Sequence, residues 1–166
     1  MKPIALFVFA LVLMLGLRVL LAGDTSVQAD SAAISLPADY QAWRHVKTQV
    51  IQEGPSFERF GGMHHIYANE RAVQGLRSRR FDEGAMLVAE FRTLARQGNV
   101  IDGGAIRLVD VMVFDPRRFA DTDGWGYAEF VGPELKVRTF DRRSECHDCH
   151  AKRADHGYVF SELPAR

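Results

Sequence analysis

The sequence predicts an α+β fold, a mainly antiparallel β-sheet with short flanking helices, on three observations. Four apolar, β-rich runs of strand length follow one another between Met63 and Phe130. Turn residues and short helix-periodic segments separate them. Once an N-terminal segment is set aside, about 137 residues remain, enough for one domain and one core, with no internal repeat.

Residues 1–29 are that segment. Lys2 precedes an apolar run from Ile4 to Leu17, followed by Arg18 and the small apolar stretch Val19 to Ala22, the pattern of a secretory signal or an uncleaved membrane anchor. The 14-residue run is short of the roughly 20 residues of a full span. Val27-Gln28-Ala29 offers small residues before a cut after Ala29, whereas a snorkelling Arg18 would let Ile4 to Leu21 span. Either outcome exports the folded part, which points to the periplasm. Residues 30–36 read as a flexible lead-in, and residues 37–166 as the single functional domain.

Within that domain, Pro37 opens a predicted helix to about Thr48 that places Tyr40 and Trp43 in the core. Gln52 to Gly62, with Pro55 and three glycines, reads as a loop. Met63 to Ala68 is the first predicted strand, and Asn69 caps a short helix from Glu70 to Leu76. Phe81 to Gly84 turns the chain into a second strand, Ala85 to Phe91. Gln97 to Gly104 reads as a glycine-containing loop before a third strand, Ala105 to Phe114, which Asp115-Pro116 ends. Gly124 to Phe130 alternates small or polar residues with aromatics, a fourth strand with one buried face.

Cys146-His147-Asp148-Cys149-His150 uses both cysteines of the chain. Three chemistries compete for this Cys-x-x-Cys-His run. A thioredoxin-like dithiol belongs early in a βαβ unit, not after a charged loop near the end of a domain. A zinc site would borrow His156 to complete Cys146, Cys149 and His150. Covalent haem c uses the run unaided: both thiols add to vinyl groups and His150 ligates the iron. In an oxidising compartment, two cysteines this close make a strained bridge with little loop entropy to gain. Arg142 and Arg143, just upstream, are either solvated surface or partners of a haem propionate. Arg77, Arg79 and Arg80 read as surface. Loss of residues 1–29 leaves one net negative charge, which implies no nucleic-acid partner.

The segment Gly61-Gly62-Met63-His64-His65-Ile66-Tyr67-Ala68-Asn69, the strand Val109 to Val113, the run Gly124-Trp125-Gly126-Tyr127 and the closing Cys146 to His150 followed by Tyr158-Val159-Phe160-Ser161 together resemble the cytochrome P-460 family. The resemblance spans roughly Tyr40 to Ser161. It implies an antiparallel sheet with helices carrying one c-type haem, usually in a homodimer. Members that oxidise hydroxylamine add a lysine cross-link to the porphyrin and a proton-moving distal carboxylate. The cytochrome c′-beta-like members lack the lysine bond and bind nitric oxide or carbon monoxide. The lysines here are Lys2, Lys47, Lys136 and Lys152, none on the strand Met63 to Ala68, so the resemblance is nearer to the second group. Glu90 matches the family's proton-relay carboxylate.

Strand alternation puts His64, Ile66 and Ala68 on one face, and Met86, Val88 and Glu90 on one face of the next strand. If these faces coincide, His64 and Glu90 form an acid/base pair over the haem. If not, each is an ordinary surface or hydrogen-bonded residue. Beyond His150, the residues able to take the sixth iron position are Met63, His64, His65, Met86, Met112 and His156. Phe57, Phe60, Phe91 and Phe114 could cap an open one. The expected function is an exported mono-haem cytochrome binding or transforming a small ligand: nitric oxide, carbon monoxide or peroxide ahead of hydroxylamine. Its alternative is a six-coordinate electron carrier serving a redox partner protein.

Overall fold

A computed structural model describes residues 34–164, so the expected export segment and residues 30–33 lie outside the described residues. Six strands form one antiparallel sheet in sequence order: β1 (Arg44–Ile51), β2 (Gly62–Ala68), β3 (Met86–Gln97), β4 (Val100–Phe114), β5 (Trp125–Val131) and β6 (Lys136–Arg138). Helices α1 (Phe57–Phe60), α2 (Glu70–Ser78) and α3 (Asp148–His150) complete the α+β architecture that the sequence predicts. Asn69 caps α2 as expected: its Oδ1 accepts from Ala72 N at 2.9 Å and from Met86 N at 3.1 Å, tying the helix start to β3.

The predicted helix from Pro37 to Thr48 does not form. A 3₁₀ turn, Tyr40–Ala42, leads instead into β1, whose Val46, Thr48, Val50 and Ile51 are β-branched. As an edge strand β1 buries only Val46 fully, which blurs the alternation that would have marked it. Tyr40 is core nonetheless, Trp43 packs half-buried beside it, and Ile34, inside the stretch read as flexible, is buried in the same cluster.

The loop expected from Gln97 to Gly104 is mostly strand. β3 and β4 run on past it and meet at the two-residue turn Gly98-Asn99, where Gly98 takes φ +60°. Gly104 sits inside β4 because a methyl there would overlap Thr93 Oγ1 across the hairpin.

The sheet buries a cluster on each face. The front face joins Ile66, Ala68, Leu87, Trp125 and Tyr127 to Ala72 and Val73 of α2 and to Phe140 and Val159 near the C-terminus. The back face joins Val88, Val109, Val111, Ala128 and Phe130 to Ile34, Tyr40 and Phe119. β5 is therefore covered on both faces rather than one.

Candidate functional site

The Cys-x-x-Cys-His run lies over the front face. A π-turn, Arg143–His147, passes into α3 and then a 3₁₀ turn, Ala151–His156, so the two cysteines and His150 fall on consecutive helical turns. Both thiols are unbonded; Cys146 packs against the front core and Cys149 is exposed. Burial, with Asp110 next, pushes the Cys146 thiol up to about 12.

His150 is set by one contact. Its Nδ1 is 2.7 Å from the carbonyl oxygen of Tyr158. A carbonyl can only accept, so Nδ1 carries the proton and Nε2 presents a lone pair. Tyr127 and Phe160 flank the ring at 5.3 and 5.0 Å between centroids. Burial holds the imidazole's pKa below its usual value and keeps it neutral. A neutral imidazole whose second nitrogen is fixed by a carbonyl suits an iron ligand.

His147, to which the sequence assigned no role, anchors this segment. It is 3% exposed, donates from Nε2 to Asp123 at 3.0 Å and stacks on Tyr158. Arg142 Nη2 reaches both carboxylate oxygens of Asp121 at 2.8 Å, and Arg143 donates to the Asp121 carbonyl. In this structure the two arginines considered for a haem propionate fasten the Cys-x-x-Cys-His segment to the loop before β5.

The strand register separates His64 from Glu90. His65 faces Glu90 and His64 faces Phe91 across β2 and β3, so the expected acid/base pair does not form. Glu90 is fully buried on the back face, accepting from Tyr40 Oη at 2.6 Å, Gln41 Nε2 at 2.7 Å and Arg92 Nε at 2.5 Å. Burial alone would raise its carboxyl, but these three donors outweigh it and hold the pKa below the usual value. A cavity of about 290 Å³ opens beside it, lined in part by Met63, His65 and Tyr67. Met63 and His65 thus look away from the Cys-x-x-Cys-His segment, and Met86 packs against the back cluster.

His64 stays on the front face, 3% exposed, with its ring centroid 4.2 Å from that of Phe91. Its Nε2 donates to the Phe60 carbonyl and its Nδ1 receives Gln49 Nε2 at 3.4 Å, so both nitrogens are engaged. Phe60 lies 5.7 Å from Phe91, so the two form an aromatic pair beside His64. Phe114 packs on Trp125 instead, and Phe57 is 47% exposed. Met112 packs in the front core. His156 is engaged by Asp155 and Glu162. Among the described residues, no group of three or more His, Cys, Asp or Glu side chains is disposed to hold a metal ion, so the zinc set is not assembled.

Lys47 is a residue that sequence reasoning misplaced. Read as helical, it pairs in β1 with Ile66 of β2, and its neighbour but one, Gln49, reaches His64, so Lys47 belongs to the front face. An ion-pair network borders the same face: Glu129 is gripped by Arg59 at 3.1 Å and by Arg138 Nε, and Glu145 joins both arginines at 3.4 and 2.8 Å.

The residues present fit a haem. Two free thiols one helical turn apart precede a histidine whose Nε2 lone pair is free, beside an exposed Phe160, which is 46% exposed. An antiparallel sheet carrying such a segment defines a haem-binding protein of α+β class. The cytochrome P460 family model matches residues 37–161, and the chain belongs to that family. Membership implies a haem cofactor. No curated protein matches the chain. Among the described residues, no helix is long and apolar enough to cross a membrane.

Proposed function

We propose that the protein is an exported, periplasmic c-type cytochrome with one haem, attached through Cys146 and Cys149 and ligated by His150, whose other iron face stays open to a small ligand. Nitric oxide, carbon monoxide and peroxide rank ahead of hydroxylamine as that ligand. When bound, the haem supplies the iron that takes the ligand and exchanges electrons with a redox partner protein. Tyr158 holds His150 in the ligating tautomer, and Phe60 and Phe91 exclude water on the front face. The observation that carries the open-site reading is the state of the two front-facing candidates for the sixth position: His64 has both nitrogens already bonded, and Met112 is packed in the front core. A homodimer is proposed with this reading, as the family resemblance implies.

A second reading follows from Lys47. A lysine on the front face, one strand away from where the resemblance expects it, favours a cross-linked, hydroxylamine-oxidising cytochrome. Mass spectrometry of the denatured protein, produced with the cytochrome c maturation machinery, separates these readings. One haem mass per chain, with the Lys47 tryptic peptide unmodified, supports the non-cross-linked cytochrome. A haem mass bridging the Lys47 and Cys146 peptides establishes the second, and a chain with no added mass overturns both. Electron paramagnetic resonance of the ferric protein then tests the open site: a high-spin signal supports it, and a low-spin signal contradicts it.

A further inference from the structure

The end of α2 carries positive charge that the fold leaves uncompensated. Arg77, Arg79 and Arg80 are all exposed, and among the described residues none of their guanidinium groups meets a carboxylate. The acids of the adjoining segments are engaged elsewhere: Glu83 faces Arg117 at 4.0 Å, Asp155 meets His156 at 2.8 Å and Glu162 meets Arg153 at 3.3 Å. Stability of the helix accounts for only part of the cluster. Arg77 lies in the last turn, where a cation suits the negative helix end. Arg79 is the C-terminal cap in the left-handed conformation, φ +59°, a position that glycine holds at least cost.

The cluster also has a defined neighbour. A methyl at Gly157 would lie 2.7 Å from the Phe81 ring and 3.1 Å from the Arg79 carbonyl oxygen, so the chain at Arg79 to Phe81 packs against the turn at Gly157. The next residue, Tyr158, is the one whose carbonyl fixes His150 Nδ1 at 2.7 Å. Phe160, exposed to solvent, has its ring 5.0 Å from that of His150. An exposed aromatic beside the Cys-x-x-Cys-His segment, with arginines at its margin, has the composition of a protein-docking surface.

We propose that the face formed by Arg77, Arg79, Arg80 and Phe160 is where an electron-carrier protein with an acidic docking surface binds and passes one electron to this protein. The inference rests on the cytochrome reading above and adds to it the surface and the charge of the redox partner. In the transfer the carrier's metal centre loses one electron, ferric haem iron gains it, and no bond forms or breaks. Residues 30–166 carry one net negative charge, so an acidic carrier is drawn in only through a local positive field. A carrier is favoured over an anionic lipid surface because the cluster abuts the turn that positions His150.

The test is calorimetric titration of the full haem-loaded protein with cadmium-substituted plastocyanin, an acidic carrier that binds without transferring electrons, at low and at high ionic strength. Saturable binding that weakens as salt rises is expected. Combining Arg77→Gln, Arg79→Gln and Arg80→Gln should weaken it by about tenfold, whereas Arg96→Gln on the β3–β4 hairpin should leave it unchanged. Oxidation of the ferrous protein by copper plastocyanin should slow in the same order. Arg79→Gly should weaken binding without lowering the unfolding midpoint, because glycine suits the left-handed position. Unchanged binding in the triple variant, or a loss in Arg96→Gln as large as in the triple variant, overturns the proposal. So does attachment to phosphatidylglycerol vesicles with none to plastocyanin, which gives the face to a lipid surface. Should the triple variant fail to fold, Arg79→Gly decides, and undiminished binding there refutes the docking face. A haem-loaded protein that binds no plastocyanin removes the docking face alone. A chain that takes up no haem removes the cytochrome reading and this inference with it.

Discussion

At the scale of single residues, side chains of the same type have been given different work by the face they occupy. His150 and His64 both present a ring nitrogen to a backbone carbonyl, but His150 leaves Nε2 free, whereas His64 spends Nε2 on Phe60 and Nδ1 on Gln49. Glu90 and Glu129 are both buried and both held ionised by arginine, yet one serves the back face and the other the front. Glu90 is thus a structural anchor for Tyr40 and Gln41. Because its folded pKa lies below the ordinary value, its stabilisation is complete above the ordinary carboxylate range and is lost as pH falls through the depressed value. Glu90→Gln should cost about 1–3 kcal/mol at neutral pH, leave the haem spectrum unchanged, and narrow its deficit as the pH is lowered into the acid range. Urea midpoints over a pH series give the comparison, and a deficit that does not shrink in acid would show that Glu90 is not the anchor.

At the scale of elements, what the sequence made legible were the segments whose signal is local. Asn69 before Glu70-Arg71-Ala72-Val73 announced a capped helix, and the runs around Ile66, Val88, Val111 and Tyr127 announced strands that the structure contains. β1 was not legible because its outer face is solvated and Pro37 and Asp39 imitate a helix start. The β3–β4 hairpin was obscured by Gly103 and Gly104, whose missing side chains leave room for Arg92, Met63 and Thr93, neighbours that only the tertiary fold brings together. The same limit governed the site. The Cys-x-x-Cys-His run could be read by itself, whereas the placement of His64 and Glu90 on one face depended on a register that a one-residue offset reverses. Asn69 offers a test at this scale. Its side chain also donates to the Gly84 carbonyl at 2.9 Å, so Asn69→Ala removes three bonds and should cost roughly 2–4 kcal/mol in thermal or urea unfolding. Asn69→Asp retains both acceptor bonds, and a loss as large as that of alanine would contradict this account of the cap.

At the scale of the whole molecule, the sheet works as a partition. Its back face is covered in part by the N-terminal turn and the Phe119 loop and holds the cavity beside Glu90, while its front face carries α2 and the Cys-x-x-Cys-His segment. That segment is braced to the loop Asp121 to Asp123 by Arg142, Arg143 and His147, so the position of His150 is built into the fold. Asp123→Ala leaves the buried His147 Nε2 without its acceptor and should destabilise the fold by roughly 1–2 kcal/mol, with a lower ratio of covalent haem to protein after expression. An unchanged ratio and an unchanged unfolding midpoint would mean that the brace carries no weight.

The proposed open site requires an iron whose one protein ligand is His150. Its most direct measurement is the optical spectrum of the reduced protein before and after carbon monoxide, recorded beside a His64→Leu variant. A high-spin ferrous spectrum that shifts with carbon monoxide in both proteins is the expected result, because His64 is engaged elsewhere. A low-spin spectrum indifferent to carbon monoxide, which becomes high-spin only in His64→Leu, would show that His64 leaves Phe60 and Gln49 to ligate the iron and would contradict the open site.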